Sequence, residues 1–356
     1  MRGRRRAVIG LGSVAVCIAV AVAVPATARA QEGNCRDVSV PVSVPAAVSV
    51  PVVGPQPSMH GVYCRAVGDS KHVVQVLVPG ATYSHIYWDF GYRPDTYNFR
   101  LAMNRAGFDT LTVDRLGTGS SSRPPSALVT SIGQASAVHQ VIQALRRGKV
   151  GTEPNDKVII GGHSMGSAIT ALEASTYHDV DGVLLTGVSH HLNQVNVAAF
   201  FATGVRPAML DPALSSRGDD PGYLTTRPGA RKTFFYQPGT ADPGVEEADE
   251  RTKDVLSATE VSDGIATIST PMSRSIDVPV MLANGSRDKV MCDFGTNCAT
   301  AATLKATEEL DFSPAARLRT FVLPGFGHAI NLAPNAPDYQ RAVVDWATTI
   351  ADPTRT

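Results

Sequence analysis

Residues Gly162-His163-Ser164-Met165-Gly166 constrain this chain more than any other stretch. They follow a short apolar run, Lys157–Ile160, and precede a small-residue segment, Met165–Tyr177, that reads as a helix. Gly-x-Ser-x-Gly between a strand and a helix is a turn too tight for a side chain at either glycine, and it drives the serine into strained backbone angles. Such a turn lifts the Ser164 hydroxyl above the edge of a sheet, at a helix N-terminus, where the Met165 N–H can face a developing oxyanion. The same five residues can also arise as a glycine turn with an incidental serine, so the partners decide.

A serine hydroxyl needs a base, and nine histidines are present. His328 closes Leu323-Pro324-Gly325-Phe326-Gly327-His328, a glycine-rich loop after an apolar strand, from which a ring can reach over a sheet edge. His163 lies inside the turn and should point away from the Ser164 hydroxyl; His190 and His191 end another strand and are expected near a pocket. The base needs an orienting carboxylate. Strand Val278–Ala283 runs into Asn284-Gly285-Ser286-Arg287-Asp288, which places Asp288 just past a strand end; its bland alternative is a turn-capping aspartate. Asp293 is the second candidate. The chain order Ser164, Asp288, His328 is the order expected for this kind of elbow. A second oxyanion donor is expected from Pro79-Gly80-Ala81-Thr82-Tyr83, with Ala81 as the donor. The stretch Asp114-Arg115-Leu116-Gly117-Thr118-Gly119 fits neither a dinucleotide nor a phosphate-loop pattern and reads as a tight loop beside the elbow.

Strand-like runs alternate with helical patterns through much of the chain. Val73–Val78, Thr110–Val113, Lys157–Ile160, Gly182–Thr186, Val278–Ala283 and Thr320–Leu323 are the strands. Ser131–Arg147, with Ile132, Val138, Ile142 and Leu145 on one face, Met165–Tyr177 and Ala336–Ala351 are the helices. This rhythm predicts an α/β fold with a mostly parallel central sheet and helices on both faces. It breaks between residues 191 and 277, where no strong strand is evident and Val245–Glu260 reads as an acidic helix. That stretch is expected to be an insertion, flanked by a core of residues 31–190 and 278–356. A Val-Pro theme over residues 38–53 suits an edge strand or an extended linker.

The first thirty residues read as an address. Arg2, Arg4, Arg5 and Arg6 precede the uncharged run Ala7–Val24, and Ala28-Arg29-Ala30 offers small residues before a cut after Ala30. A signal peptide and secretion are the expectation; an uncleaved anchor is the alternative, and the paired arginines leave twin-arginine export open beside the general route. Removing these residues takes five of 32 basic side chains and no acid, leaving 27 against 32 acidic ones, a net of −5. A mildly acidic body has no basic stripe for nucleic acid. The exported chain keeps Cys35, Cys64, Cys292 and Cys298, an even number that fits an oxidising compartment. The simplest pairing is Cys35 with Cys64 and Cys292 with Cys298, the latter closing a surface loop; the spacing does not match a zinc site.

Taken together, PGATY at 79–83, DRLGTGSS at 114–121, GHSMG at 162–166, NGSRD at 284–288 and GFGH at 325–328 resemble the α/β-hydrolase superfamily, in particular secreted bacterial serine esterases and lipases. One departure is Pro79-Gly80, where relatives often carry His-Gly. The resemblance implies a Ser164–His328–Asp288 triad with Met165 and Ala81 as oxyanion donors. It also implies that residues 191–277 form a cap between the sixth and seventh strands. The implied reaction is hydrolysis of a carboxylic ester or lactone through an acyl-enzyme, on a small-molecule or lipid-like substrate. It needs no metal or organic cofactor, and a monomer is the default. Acyl transfer or cyclisation by the same triad, and a silent ligand-binding member of the fold, are the other readings.

Overall fold

The computed structural model describes residues 34–44, 56–151, 156–293 and 295–355. The predicted leader, residues 1–30, and the Val-Pro theme beyond residue 44 lie outside the described residues. The main sheet has eight strands in the order β1-β2-β4-β3-β5-β6-β10-β11. β3 (Val73–Val78), β4 (Asp109–Val113), β5 (Lys157–His163), β6 (Gly182–Thr186), β10 (Val280–Gly285) and β11 (Arg319–Leu323) pair in parallel. β1 (Cys35–Pro41) and β2 (Ser58–Cys64) add an antiparallel edge beside β4. Composition follows position. Every residue of β3 is buried, as a strand covered on both faces requires, whereas β2 largely alternates half-buried and buried positions.

Helices cover both faces. Val74, Val76 and Val78 of β3 pack with the helices Ser131–Arg146 and Met165–Tyr177 in one apolar cluster. Val73 and Leu77 point the other way, into a cluster with Phe99–Arg105 and Ala336–Ala351. Period-two alternation thus feeds two cores from one strand. Ile132 does not join the predicted face; it is 56% exposed. It sits in the first turn, and six residues before Val138 is about a third of a turn off register at 3.6 residues per turn.

The stretch between β6 and β10 is more ordered than its sequence suggests. It holds a second, antiparallel sheet, β7 (Val205–Pro207), β8 (Tyr223–Thr226) and β9 (Leu256–Ser257), in strands too short to show periodicity. The predicted helix over 245–260 is two helices, Pro243–Arg251 and Ala258–Ile268. The chain leaves the first because Asp254 turns inward, its N–H donating to Thr82 O at 2.9 Å and its carboxylate accepting from Gly119 N at 2.9 Å. A capping box of Ser257 and Glu260 starts the second. Among the described residues no helix is long and apolar enough to cross a membrane.

Candidate active site

Ser164 stands between β5 and the helix Met165–Tyr177 at φ +53° and ψ −120°, a backbone that L side chains rarely adopt. The flanking glycines make this possible. A Cβ on Gly162 would lie 2.4 Å from Gly166 O, and one on Gly166 would lie 2.4 Å from Val78 O. Both contacts are with backbone that cannot yield, so the elbow tolerates only glycine at either place.

Two further loops converge on it. Asp288 follows β10 and His328 follows β11, adjacent parallel strands. Their loops touch because Gly285 has no side chain: a Cβ there would meet Gly327 O at 2.1 Å. Arg287 N donates to Phe326 O at 2.8 Å and joins them. His328 Nδ1 then lies 2.8 Å from Asp288 Oδ2, with both side chains buried. Asp288 Oδ1 accepts from Val290 N at 2.9 Å and Met291 N at 3.0 Å, so the carboxylate is fixed from both ends. An Nδ1–H donated to Asp288 leaves His328 Nε2 as the basic nitrogen. Asp293 plays no part here; it is exposed, at φ +90° in the loop that follows.

Cys35 bonds Cys64, and Cys292 bonds Cys298. The second bridge is buried rather than superficial. Cys292 N donates to Asp288 O at 2.9 Å, so this bridge begins one turn beyond the carboxylate that holds His328.

His163 is buried and stacks on Tyr87, ring centroids 4.3 Å apart, with its Nδ1 3.2 Å from Thr186 Oγ1. Burial holds its pKa well below the usual value, so it is a neutral ring packed 4.8 Å from the ring of His328. His190 and His191 do not line the cavity at Ser164. His190 bridges Glu308 at 2.7 Å and Ser273 at 2.8 Å, and His191 pairs with Asp311 at 2.9 Å.

A cavity of ≈ 60 Å³ opens at Ser164 and His328. Ala81, Met165, Val188, Val290 and Met291 line it from the main sheet's side. Leu192, Phe200, Phe201, Phe235, Ile265 and Ile268 line it from the β6–β10 segment. In the same segment Val195 and Leu210 are instead exposed on the surface. Ile265 and Ile268 carry no sequence signal of their own; helical spacing places them together only once the helix Ala258–Ile268 is recognised.

Ala81 lies in the turn that follows β3, closed by Tyr83 N donating to Gly80 O at 3.2 Å. Among the described residues neither its N–H nor that of Met165 has an acceptor, and both residues line the cavity. The loop after β4 does more than pack. The Asp114 carboxylate accepts from His60 Nδ1 and His85 Nδ1, each at 2.9 Å, and from Ser120 N at 3.0 Å. These contacts hold its pKa well below the usual carboxylate range against the opposing effect of burial. Arg115 is buried beside Glu260 and donates to Gly80 O at 3.1 Å.

A hydroxyl on a strained elbow, an imidazole with one tautomer fixed and two unpaired N–H groups can together take a proton, attack a carbonyl and hold the resulting charge. The sheet order and this elbow define a doubly wound α/β protein of the serine-elbow class. The chain matches the alpha/beta hydrolase family over residues 75–346 and belongs to that family. It is 26% identical over 212 residues to Lipase 3 of Moraxella sp. (strain TA144) and, over a stretch of the same length, to Lipase 1 of Psychrobacter immobilis. Each match covers 57% of this chain and 61% of the relative, so the chain spans about three-fifths of the curated relatives it matches. Similar solved structures include a thermophilic esterase from Thermogutta terrifontis (TM-score 0.58, 15% identity, covering 89% of this chain and 99% of that one). A carboxyl esterase from Bacillus coagulans (TM-score 0.59, 15% identity, with the same shares covered) and the enol-lactonase of Burkholderia xenovorans LB400 (0.56, 17%, 82% and 97%) are also similar. At these identities the structural likeness bears on the fold.

Proposed function

We propose that this protein is a serine hydrolase that cleaves carboxylic esters, lactones included, through an acyl-enzyme. The observation that carries this reading is the buried His328–Asp288 pair, 2.8 Å apart, with His328 and the strained Ser164 facing one apolar cavity. His328 Nε2 takes the Ser164 proton as Oγ attacks the ester carbon. The carbonyl electron pair moves onto oxygen, where the Ala81 and Met165 N–H groups receive it. Collapse of the tetrahedral species expels the alkoxide, which His328 protonates; water, activated by the same nitrogen, then releases the acid and restores Ser164. Asp288 holds the imidazole in that tautomer and stabilises the imidazolium.

Residues 191–277 are the cap of this site in the same reading, and their aromatic and branched side chains form the acyl side of the pocket. The lipases with which the chain aligns favour a small-molecule ester or lipid-like substrate. The two disulfides fit export to an oxidising compartment by way of the arginine-led N-terminus.

The test is hydrolysis of p-nitrophenyl esters from acetate to palmitate by the chain beginning at Gln31, with Ser164→Ala beside it. Turnover that falls by several orders of magnitude in the variant is the expected result. No turnover above the variant's at any chain length overturns the proposal.

A further inference from the structure

The oxyanion turn is held in place from the cap. Thr82, one residue after the donor Ala81, sits at φ +61°, a left-handed backbone that suits a β-branched residue badly. Such a conformation persists only where its surroundings impose it. Here the two carbonyls that flank Ala81 are each gripped by a buried guanidinium. Gly80 O accepts from Arg115 Nη2 at 3.1 Å. Thr82 O accepts from Arg231 Nη1 at 3.2 Å, and Thr82 Oγ1 from the same nitrogen at 3.0 Å. Asp254 N donates to Thr82 O as well.

The counter-charges come from the cap. Arg231 is held in a two-pronged pair by Asp249, at 2.8 and 2.7 Å, and Tyr236 donates to the same carboxylate at 2.6 Å. Arg115, which the loop after β4 supplies, pairs with Glu260 of the cap. All four charged residues are at most 2% exposed. The guanidinium of Arg231 also lies 4.1 Å from the ring centre of Tyr83, the residue that closes the turn. A buried ion pair is a costly way to add stability, and geometric specificity is the better-attested use of one. Because a trans peptide points its C=O and N–H in opposite directions, fixing Gly80 O on Arg115 also fixes the direction of the Ala81 N–H.

We propose that Arg231 and Arg115 are positioning residues for the oxyanion site, and that the seated cap, through Asp249 and Glu260, is what sets the Ala81 N–H. This inference rests on the ester-hydrolase reading above. Neither arginine touches the reacting atoms. Each acts through a backbone carbonyl, so loosening either one weakens a contact that matters most when the carbonyl oxygen becomes charged.

The experiment compares Arg231→Lys, Thr82→Val and Thr82→Ser with the unaltered protein, on a p-nitrophenyl ester and on its thionoester, in which sulfur replaces the carbonyl oxygen. Lysine keeps the charge but cannot pair with Asp249 and reach Thr82 together. Valine keeps the shape of Thr82 and removes the Oγ1 acceptor, leaving the cap's ion pairs untouched; serine restores that acceptor. Arg231→Lys is expected to lower kcat about tenfold or more with KM within twofold. Thr82→Val is expected to lower kcat severalfold, and Thr82→Ser to recover most of it. The preference for the oxygen ester over the thionoester shrinks in both impaired variants, because a misplaced donor no longer discriminates the smaller, more strongly accepting atom. Should Arg231→Lys fail to fold, the threonine pair decides alone. Unchanged kcat and unchanged oxygen preference in a folded Thr82→Val overturn the inference while ester turnover by the unaltered protein keeps the reading standing. An unaltered protein that turns over no p-nitrophenyl ester overturns the reading and this inference with it.

Discussion

Asp288 and His328 come from loops after neighbouring strands, and each is locked by the other's loop as well as by its own. The carboxylate spends one oxygen on the imidazole at 2.8 Å and the other on the N–H groups of Val290 and Met291. Those two residues also wall the cavity, so the element that orients His328 also shapes the cavity beside it.

Asp288→Asn should therefore keep the fold and lose the reaction. An amide at this place can offer its NH₂ to His328 Nδ1, which puts the ring proton on the wrong nitrogen. The expected loss in kcat on a p-nitrophenyl ester is about 10³–10⁴-fold, with an unchanged circular dichroism spectrum. Asp293→Asn, at an exposed position, should leave kcat within twofold of the unaltered value.

Chain-length preference should move with the side of the pocket that residues 191–277 supply. The cavity of ≈ 60 Å³ leaves little room beside Ser164, and Phe201 and Ile268 bound it. Phe201→Ala and Ile268→Ala should each shift the best p-nitrophenyl ester to a longer acyl chain, read as the ratio of kcat/KM for octanoate over acetate. A ratio that stays fixed in both variants would place the acyl group elsewhere.

Glu173 should make the protein less stable as pH rises. It is buried in the helix that carries the elbow, with His139 and Asp179 facing it, and burial pushes its pKa up to about 8 against the weaker opposing pull of His139. The folded state thus keeps a proton that the unfolded state has already lost. Stability attributable to this group falls from its unfolded pKa, near 4.5, up to about pH 8, then levels. In urea titrations from pH 5 to pH 9, Glu173→Gln should flatten that decline.

His60 ties the edge of the sheet by a charge. Its Nδ1 meets Asp114 and its Nε2 meets Asp37, both at 2.9 Å, and a ring between two carboxylates must donate from both nitrogens. The Asp114 hydrogen bond is the largest cause of its raised pKa, with burial opposing and Asp37 adding to it. Because the folded pKa exceeds the ordinary 6.5, the stabilisation is complete below about pH 6.5 and is lost as pH rises through the folded value. The exposed Asp37 contributes little through solvent screening, so His60→Gln should remove a pH-dependent increment and Asp37→Asn only a small part of it. The measurement is the difference in Tm between pH 6 and pH 8.

Local turn chemistry made the elbow legible: Gly162, Ser164 and Gly166 are required by a backbone that the sequence alone implies. Asp288 and His328 were legible through chain order and the strand ends before them. The grip on the Gly80–Tyr83 turn was not. Arg115 and Glu260 lie 145 residues apart, and nothing in either segment marks the other as its partner. Arg231 and Asp249 are 18 apart, but only the packing of the small antiparallel sheet and its helices turns both inward. Strands of two to four residues fall below the length at which alternation can be recognised, so the architecture of residues 191–277 was hidden although their apolar content was plain. His190 shows the converse. Its position after a strand suggested a pocket, yet a buried carboxylate at Glu308 claims its ring instead.

Cys35 and Cys64 face each other at one end of the hairpin formed by β1 and β2, a directly opposed pair in its register. The chain between them is therefore a closed covalent ring. A protease that cut it once, anywhere between β1 and β2, would release nothing: the new ends would stay joined through sulfur, and β1 would keep its ladder against β2. Such a nicked protein would weigh one water more than the intact chain and run as a single species until a reductant was added, when an N-terminal fragment would come away. Wherever proteases are present, the sheet's outermost strand would thus outlast the continuity of its own backbone.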